Sequence, residues 1–337
     1  MSESLAASVR PRTTSATRPA AAGHPSGGTV LVTGAGRYLG AHTAAKLAAD
    51  ATVLAVDVVP PTPDLAKVLA GAGVDFSVVD PTQGPALAQL LDRARVETVV
   101  HMAVAAMPFR DGGRDAMKEL NVIGTLQLLA ACQRAESLRK VVVRSSSAAY
   151  GASSRDPAIF TEDTELRAVP RGGFVKDILD IEGYVRGFRR RRPDAVATVL
   201  RFSPFLGPTA DTALTRYFDQ AFVPTAAGFD PRVQFVHVDD ALEVLRRSVV
   251  EDHPGVFNVA GPGVLLLSQA IRRAGKTPVP VPGLAMGAVG RLFDISIDQL
   301  EFLVHGRVVD VSRLVAEYGF SPRSTPDTFK EFVSVVR

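Results

Sequence analysis

The segment most suited to chemistry is a glycine turn, Thr33-Gly34-Ala35-Gly36-Arg37-Tyr38-Leu39-Gly40, entered from an apolar run at Thr29 and left through an alanine-rich stretch to Ala49. A chain that passes from strand through such a turn into a helix offers unpaired backbone N–H groups to a pyrophosphate. Gly34 supplies the tight turn and Gly40 the close approach of helix to strand, with Gly36, Arg37, Tyr38 and Leu39 between them. Asp57 ends the next apolar run, where a carboxylate accepts hydrogen bonds from both adenosine ribose hydroxyls and repels a 2′-phosphate. Asp80 ends the third run and reads either as an adenine-edge contact or as a turn residue. These residues favour NAD over NADP. Arg37 keeps NADP open, since a guanidinium in this loop can pair with a 2′-phosphate.

The elements needed to hold that site recur along the chain. Short β-branched runs lie at Thr29–Val32, Thr52–Val56, Val74–Val79, Thr98–Ala103, Val141–Arg144 and Ala195–Phe202. Helix-length segments separate them, at about 62–72, 84–94, 113–135 and 174–192. This alternation predicts an α/β fold with a Rossmann-type doubly wound parallel sheet, covered on both faces. After Pro204, Pro and Gly punctuate shorter elements: helices near 211–221, from Asp239, and near 267–274, 290–303 and 326–335, and strands at Val233–Val236 and Val256–Val259. The expected organisation is a disordered tail over 1–27, a dinucleotide-binding domain over 28–203 and a smaller α/β substrate lobe over 204–337. Segments are expected to exchange between the lobes.

Composition excludes several classes. Of 337 residues, 46% are hydrophobic and 22% charged, as in ordinary globular proteins, and no apolar run is long enough to span a bilayer. The single cysteine, Cys132, rules out an internal disulfide and suits a cytoplasmic protein. Residues 1 to 27 lack the apolar centre of a secretory signal. The run Arg189–Arg192 reads as a solvated helix C-terminus. No aromatic residues are interleaved with it for base stacking, which argues against a nucleic-acid partner.

Seven motifs in order resemble the extended short-chain dehydrogenase/reductase family, the NAD-dependent nucleotide-sugar epimerases and dehydratases of the UDP-glucose 4-epimerase type. They are Thr33–Gly40, His101-Met102-Ala103, Asn121–Thr125, Ser145–Gly151, Leu200-Arg201 through Gly207-Pro208, Phe235–Asp240 and Asp310–Pro322. The resemblance covers roughly 29–336. It implies NAD in the N-terminal domain, with Met102, Ala103 and Asn121 beside it, a nucleotide-sugar substrate between the lobes and a homodimer. It also implies a Ser/Thr–Tyr–Lys group, in which the tyrosine takes a substrate proton as hydride leaves for the nicotinamide. Ser146 falls at the Ser/Thr position, with Ser147 beside it as a substrate contact.

The tyrosine and lysine are missing. No tyrosine is followed four residues later by a lysine: Tyr38 precedes His42, Tyr150 Ser154, Tyr184 Phe188, Tyr217 Ala221 and Tyr318 Pro322. Aligning Glu182 with the acid that follows the lysine puts Phe174 at the tyrosine position and Ile178 at the lysine position. Lys176 lies about 200° around the helix from residue 178 and would face away. Asp177 is the candidate substitute base, with Asp180 behind it, although both also read as helix-surface carboxylates. Arg201, Arg216 and Arg232 are candidate contacts for an anionic substrate. His237 and Asp239 read as structural, the latter as a helix N-cap. Arg37 replaces the middle glycine of the turn, and Pro204 an asparagine expected near a substrate diphosphate. Two readings follow: an epimerase/dehydratase-type enzyme with non-standard acid–base residues, or a catalytically inactive NAD-dependent sensor or partner-binding protein.

Overall fold

A computed structural model describes residues 27–106, 113–153, 155–165, 173–210, 212–292 and 297–336. The expected N-terminal tail lies, apart from Gly27, outside them. Six strands follow the apolar runs read from the sequence: β1 (Thr29–Thr33), β2 (Thr52–Asp57), β3 (Asp75–Val78), β4 (Val96–His101), β5 (Lys140–Ser146) and β6 (Val196–Phe202). The shorter strands that follow are β7 (Phe205–Leu206), β8 (Phe222–Ala226), β9 (Arg232–Val233), β10 (Val236–His237), β11 (Gly255–Val259), β12 (Leu265–Leu266) and β13 (Thr277–Val281).

The main sheet is parallel throughout, in the order β11-β6-β5-β4-β1-β2-β3. The chain reverses direction across the sheet between β1 and β4, and a doubly wound sheet opens its ligand crevice at the carboxyl ends of such strands. β11 pairs with β6, from Gly255 beside Thr198 to Val259 beside Phe202. A strand from the C-terminal third therefore completes the sheet of the N-terminal part.

Helices α1 (Tyr38–Leu47), α2 (Pro63–Gly71), α3 (Gly84–Arg93), α4 (Gly113–Lys118), α5 (Thr125–Arg134) and α6 (Gly173–Arg191) cover the sheet. Alternation along β1 divides the packing. Leu31 joins Leu128, Ile178 and Ile181 on one face, and Val30 and Val32 join Ala41, Ala44 and Val244 on the other. Burying these branched side chains is the main favourable contribution to the fold, roughly 1.5–3 kcal/mol each. After α7 (Ala213–Asp219), helix α8 (Val238–Val250) returns to pack beside α1, where Lys46 meets Glu243 at 3.2 Å and Arg246 meets Asp50 at 3.3 Å. The remaining helices, α9 (Leu267–Arg273), α10 (Met286–Leu292), α11 (Ile297–His305), α12 (Ser312–Tyr318) and α13 (Thr325–Val336), contribute to the smaller lobe and its join to the sheet. The lobe's core is aromatic: Phe218 stacks edge-on against Phe235 and Phe329.

Three local features depart from the expected elements. The segment 113–135 is not one regular helix, because Glu119–Gly124 forms a π-helical turn between α4 and α5. The pairing of β8 with β13 was hidden by Pro224, Pro278 and Pro280, residues that normally argue against a strand. The helix expected at 290–303 is two helices, α10 and α11, and the residues between them lie outside the described set. Among the described residues, no helix is long and apolar enough to cross a membrane.

Candidate cofactor crevice and adjoining cavity

The glycine turn takes its shape from three close approaches. Gly34 has φ +74°, and a Cβ there would lie 2.6 Å from the Ala103 nitrogen. A Cβ on Gly36 would meet the Val59 carbonyl oxygen at 2.4 Å, and one on Gly40 would meet that of Gly34 at 2.1 Å. These contacts pull β1, the loop after β4 and the start of α1 together at the sheet's switch point. Helix α1 begins with no side-chain cap on its first turn and no acidic residue in it. Its N–H groups and positive dipole end thus remain suited to a pyrophosphate.

Asp57 sits behind this loop, its side chain only 1% exposed. Its carboxylate accepts the Gly36 N–H at 3.0 Å and the Val58 N–H at 2.7 Å, and Arg37 lies 4.0 Å away. Burial raises its pKa; the Arg37 charge and these N–H groups oppose that shift. Asp57 therefore positions the turn as well as marking the ribose end of the crevice. Asp80 accepts the Thr82 N–H at 2.9 Å and the Thr82 hydroxyl, which holds its pKa down. Its carboxylate is thus occupied as a turn residue. The Tyr38 hydroxyl meets Thr209 at 2.6 Å, tying the start of α1 to the chain beyond β7.

A buried hydrogen-bond chain supports the crevice from below. Thr33 Oγ1 accepts the Met102 and Ala103 N–H groups at 3.2 and 3.3 Å, so its own hydroxyl proton points to His101 Nδ1 at 2.8 Å. His101 Nε2–H then donates to Thr125, and the Thr125 hydroxyl donates to the Asn121 carbonyl. Burial drives the His101 pKa down to about 4, with the Arg144 charge acting in the same direction. The ring is neutral at physiological pH and serves as a strut. Asn121 is fully buried; its side chain brackets the Ala105 backbone at 2.8 and 2.9 Å and donates to Asp177 at 3.0 Å. It shapes the chain beneath the crevice through the π-helical turn, and its amide group points to protein partners.

Next to the crevice lies a cavity of about 310 Å³. Ser146, Ser147, Phe174, Arg144, Arg216 and Arg307 line it, together with apolar residues that include Phe205 and Phe302. Ser146 Oγ accepts the Ala148 N–H at 3.1 Å, capping the short 3-10 turn Ser147–Tyr150. Phe174 thus occupies the cavity wall where the resemblance placed a tyrosine. Ile178, completely buried, packs in the core under α6.

Several sequence-derived site residues lie elsewhere. Asp177 is not presented to the cavity: it is 1% exposed, with one oxygen on Arg114 at 2.6 Å and the other on Asn121. Both of its oxygens are engaged away from the cavity, so it does not stand where the sequence reading looked for a substitute base. Asp180 pairs with Lys176 along α6. Arg201 also leaves the substrate set. Its guanidinium clasps Glu182 through bonds of 2.9 and 2.6 Å and lies 4.7 Å from the Tyr150 ring centre. Glu182 in turn accepts the Ser145 hydroxyl at 2.6 Å. Arg232 lines a separate small pocket and donates to the Ala158 carbonyl at 2.7 Å. His237 caps α8 by accepting the Asp239 N–H at 3.1 Å, and Asp239 itself is a first-turn acid of that helix. The Tyr150 hydroxyl donates to Asn258 at 2.7 Å, away from the cavity.

Sequence reasoning missed Arg144 and Arg307. The signal for Arg144 was present, as a cation ending the apolar run Val141–Val143 directly before the serines. No pattern marked Arg307, which reaches the cavity only through the turn at Gly306. There φ is +71°, and a Cβ would meet the Arg232 carbonyl oxygen at 2.3 Å. Among the described residues lining the cavity there is no carboxylate, histidine, tyrosine or lysine. The described lining thus combines three arginines with the hydroxyls of Ser145, Ser146, Ser147, Ser203 and Thr212.

Comparison with known proteins gives this arrangement a lineage. The profile of the NAD dependent epimerase/dehydratase family matches residues 30–260. An uncharacterised protein of Mycobacterium tuberculosis is 44% identical over 313 residues, covering 90% of this chain and 82% of its own length. The fold is similar to that of dTDP-glucose 4,6-dehydratase from Bacillus anthracis, solved in complex with NAD. The TM-score is 0.72 at 16% identity, over 91% of this chain and 96% of that one. UDP-glucose 4-epimerase from Thermotoga maritima, solved with UDP-glucose, superposes with a TM-score of 0.71 at 18% identity, over 91% and 98% of the two chains.

Proposed function

Because the chain belongs to the NAD-dependent epimerase/dehydratase family, we propose that it binds NAD in the crevice between β1 and β4 and an anionic nucleotide sugar in the adjoining cavity, without the family's tyrosine-driven hydride transfer. The observation that carries this reading is the cavity lining, which combines Arg144, Arg216 and Arg307 with Phe174 and offers no proton acceptor among the described residues. The α1 N-terminus and Asp57 would hold the pyrophosphate and the adenosine ribose. NAD rather than NADP follows from a carboxylate at that ribose, with Arg37 the residue that would decide otherwise. The bound dinucleotide supplies a hydride acceptor. Removing a substrate hydrogen as hydride also requires a base for the hydroxyl proton, and among the described residues lining the cavity the polar side chains are hydroxyls, guanidinium groups and the Gln299 amide.

In this reading the protein reports the joint presence of cofactor and sugar nucleotide by closing its lobes, with the Tyr38–Thr209 contact spanning the crevice. The bond from Arg114 to Asp177 stabilises the same end of α6. A homodimer and a cytoplasmic location go with this reading. Exposed Ile123 and Leu126, at 41% and 40%, give the helical segment around α5 an apolar face for a second copy.

The test is calorimetric titration of the purified protein with NAD, NADP, UDP-glucose and UDP-glucuronate, repeated on Asp57→Ala. NAD binding that is lost in Asp57→Ala, together with binding of a sugar nucleotide, supports the proposal. Failure to bind any dinucleotide would show that Arg37 closes the crevice and would overturn it.

A further inference from the structure

We infer that Arg144 is a specificity-determining residue that makes the cavity selective for a sugar nucleotide whose sugar carries a carboxylate. This inference rests on the nucleotide-sugar reading above. Arg144 and Ser146 are two residues apart on β5, so strand alternation puts both side chains on one face of the sheet. Both line the cavity. One guanidinium nitrogen of Arg144 donates to the Val104 carbonyl at 2.8 Å, and the group stands 5.6 Å from the centre of the Phe205 ring.

What sets Arg144 apart is that, among the described residues, no opposing charge pairs with it. The buried cations on neighbouring strand positions are matched: Lys140 meets Asp252 at 2.8 Å and Arg201 meets Glu182 at 2.6 Å. Among the described residues no carboxylate pairs with Arg144. The charge acting on it is that of Arg37, which has the same sign. Partial burial, with that repulsion added, lowers its pKa to about 10, still far above neutrality. A cation held in a low-dielectric cavity without a counter-charge favours any ligand that supplies one. The planar guanidinium can take a carboxylate through two parallel hydrogen bonds.

The other two cavity arginines sit elsewhere. Arg216 belongs to α7 and Arg307 follows α11, so both approach from the C-terminal lobe. With Arg216 and Arg307 on the lobe side of the cavity, Arg144 is the cation on the sheet side, beside Ser146. A neutral hexose would leave that charge unanswered, whereas a uronic acid would neutralise it.

The experiment is calorimetric titration of the full chain, saturated with NAD, using UDP-glucuronate and UDP-glucose on wild type, Arg144→Met and Arg144→Lys. A charged hydrogen bond of this kind predicts about a tenfold or greater preference of the wild type for the uronate. Arg144→Met should weaken uronate binding by about 10- to 100-fold while UDP-glucose changes by less than about threefold. Arg144→Lys should keep part of the preference. Equal binding of the two sugars by the wild type, or equal weakening of both by Arg144→Met, would overturn the inference and leave the nucleotide-sugar reading standing. Binding of neither sugar nucleotide would remove both. Should Arg144→Met fail to fold, the wild-type preference and its response to Arg144→Lys still decide the matter.

Discussion

The glycine-turn crevice and the α6 wall of the cavity lie on the same parallel sheet and are built in different ways, one from main chain and the other from side chains. In the crevice the glycines, Asp57 and the His101 chain are held by main-chain contacts and buried hydrogen bonds, and Arg37 leaves its side chain 40% exposed at the edge of the loop. Along α6 the two positions the resemblance marks for chemistry carry apolar side chains, with Phe174 in the cavity wall and Ile178 in the core. Backbone geometry explains why the crevice holds its form. A Cβ at Gly34 or Gly40 would strike main-chain atoms, which cannot rotate out of the way. On α6 the positions at stake are the buried side chains of Phe174 and Ile178, which pack against the core without constraining the main chain. A loop fixed by main-chain contacts is therefore more tightly constrained than two side chains on a helix.

Four perturbations test that contrast, from the largest expected effect to the smallest. Arg201→Leu leaves Glu182 buried without its partner and should cost about 3–5 kcal/mol, read from the urea midpoint of unfolding. A loss below about 1 kcal/mol would show that this bidentate pair does not stabilise the region under the cavity.

Acid should weaken the crevice half through His101. Its folded pKa of about 4 lies below the ordinary 6.5, so the unfolded chain takes up the proton first as pH falls. The resulting stabilisation is complete above 6.5 and lost as pH falls through 6.5 toward 4. It amounts to at most about 3 kcal/mol. Unfolding free energies across that window, compared with those of His101→Gln, should show a steeper acid slope in the wild type. Parallel slopes would place the acid sensitivity elsewhere.

Gly40→Ala should cost about 1–3 kcal/mol, because the added carbon falls 2.1 Å from the Gly34 carbonyl oxygen, and it should abolish NAD binding. Retained binding would show that the loop can shift without loss of the site. Phe174→Tyr should change stability by less than about 1 kcal/mol, since the new hydroxyl can reach the cavity rather than the core. It should not restore turnover by itself, because Ile178 gives it no neighbouring charge. Activity appearing in this single variant would mean that the tyrosine alone was missing.

Much of this arrangement was legible in the sequence, and the exceptions share a cause. The six strands and the glycine turn are local signals, set by β-branched runs and by the conformations that only glycine takes easily. The register counted from Glu182 puts Phe174 and Ile178 at the positions where the resemblance expects a tyrosine and a lysine; the structure has Phe174 in the cavity wall and Ile178 in the core. The destinations of Asp177, Arg201 and Arg232 were not readable. Each depends on a partner far away in sequence: Arg114 and Asn121 for the first, Glu182 for the second, the Ala158 carbonyl for the third. The same holds for Arg307, which joins the cavity only because the C-terminal lobe folds back over the sheet. The π-helical turn at Glu119–Gly124 was hidden because its residues have ordinary helical character.

The most direct test of the central claim is to incubate the purified protein with NAD and UDP-glucose or UDP-glucuronate. Reduced nicotinamide would be followed by absorbance and sugar products by chromatography. The account predicts that both ligands bind, that no reduced nicotinamide accumulates and that the sugar is recovered unchanged. Steady conversion of the sugar, abolished by Ser146→Ala, would contradict it and place a working acid–base group in this cavity.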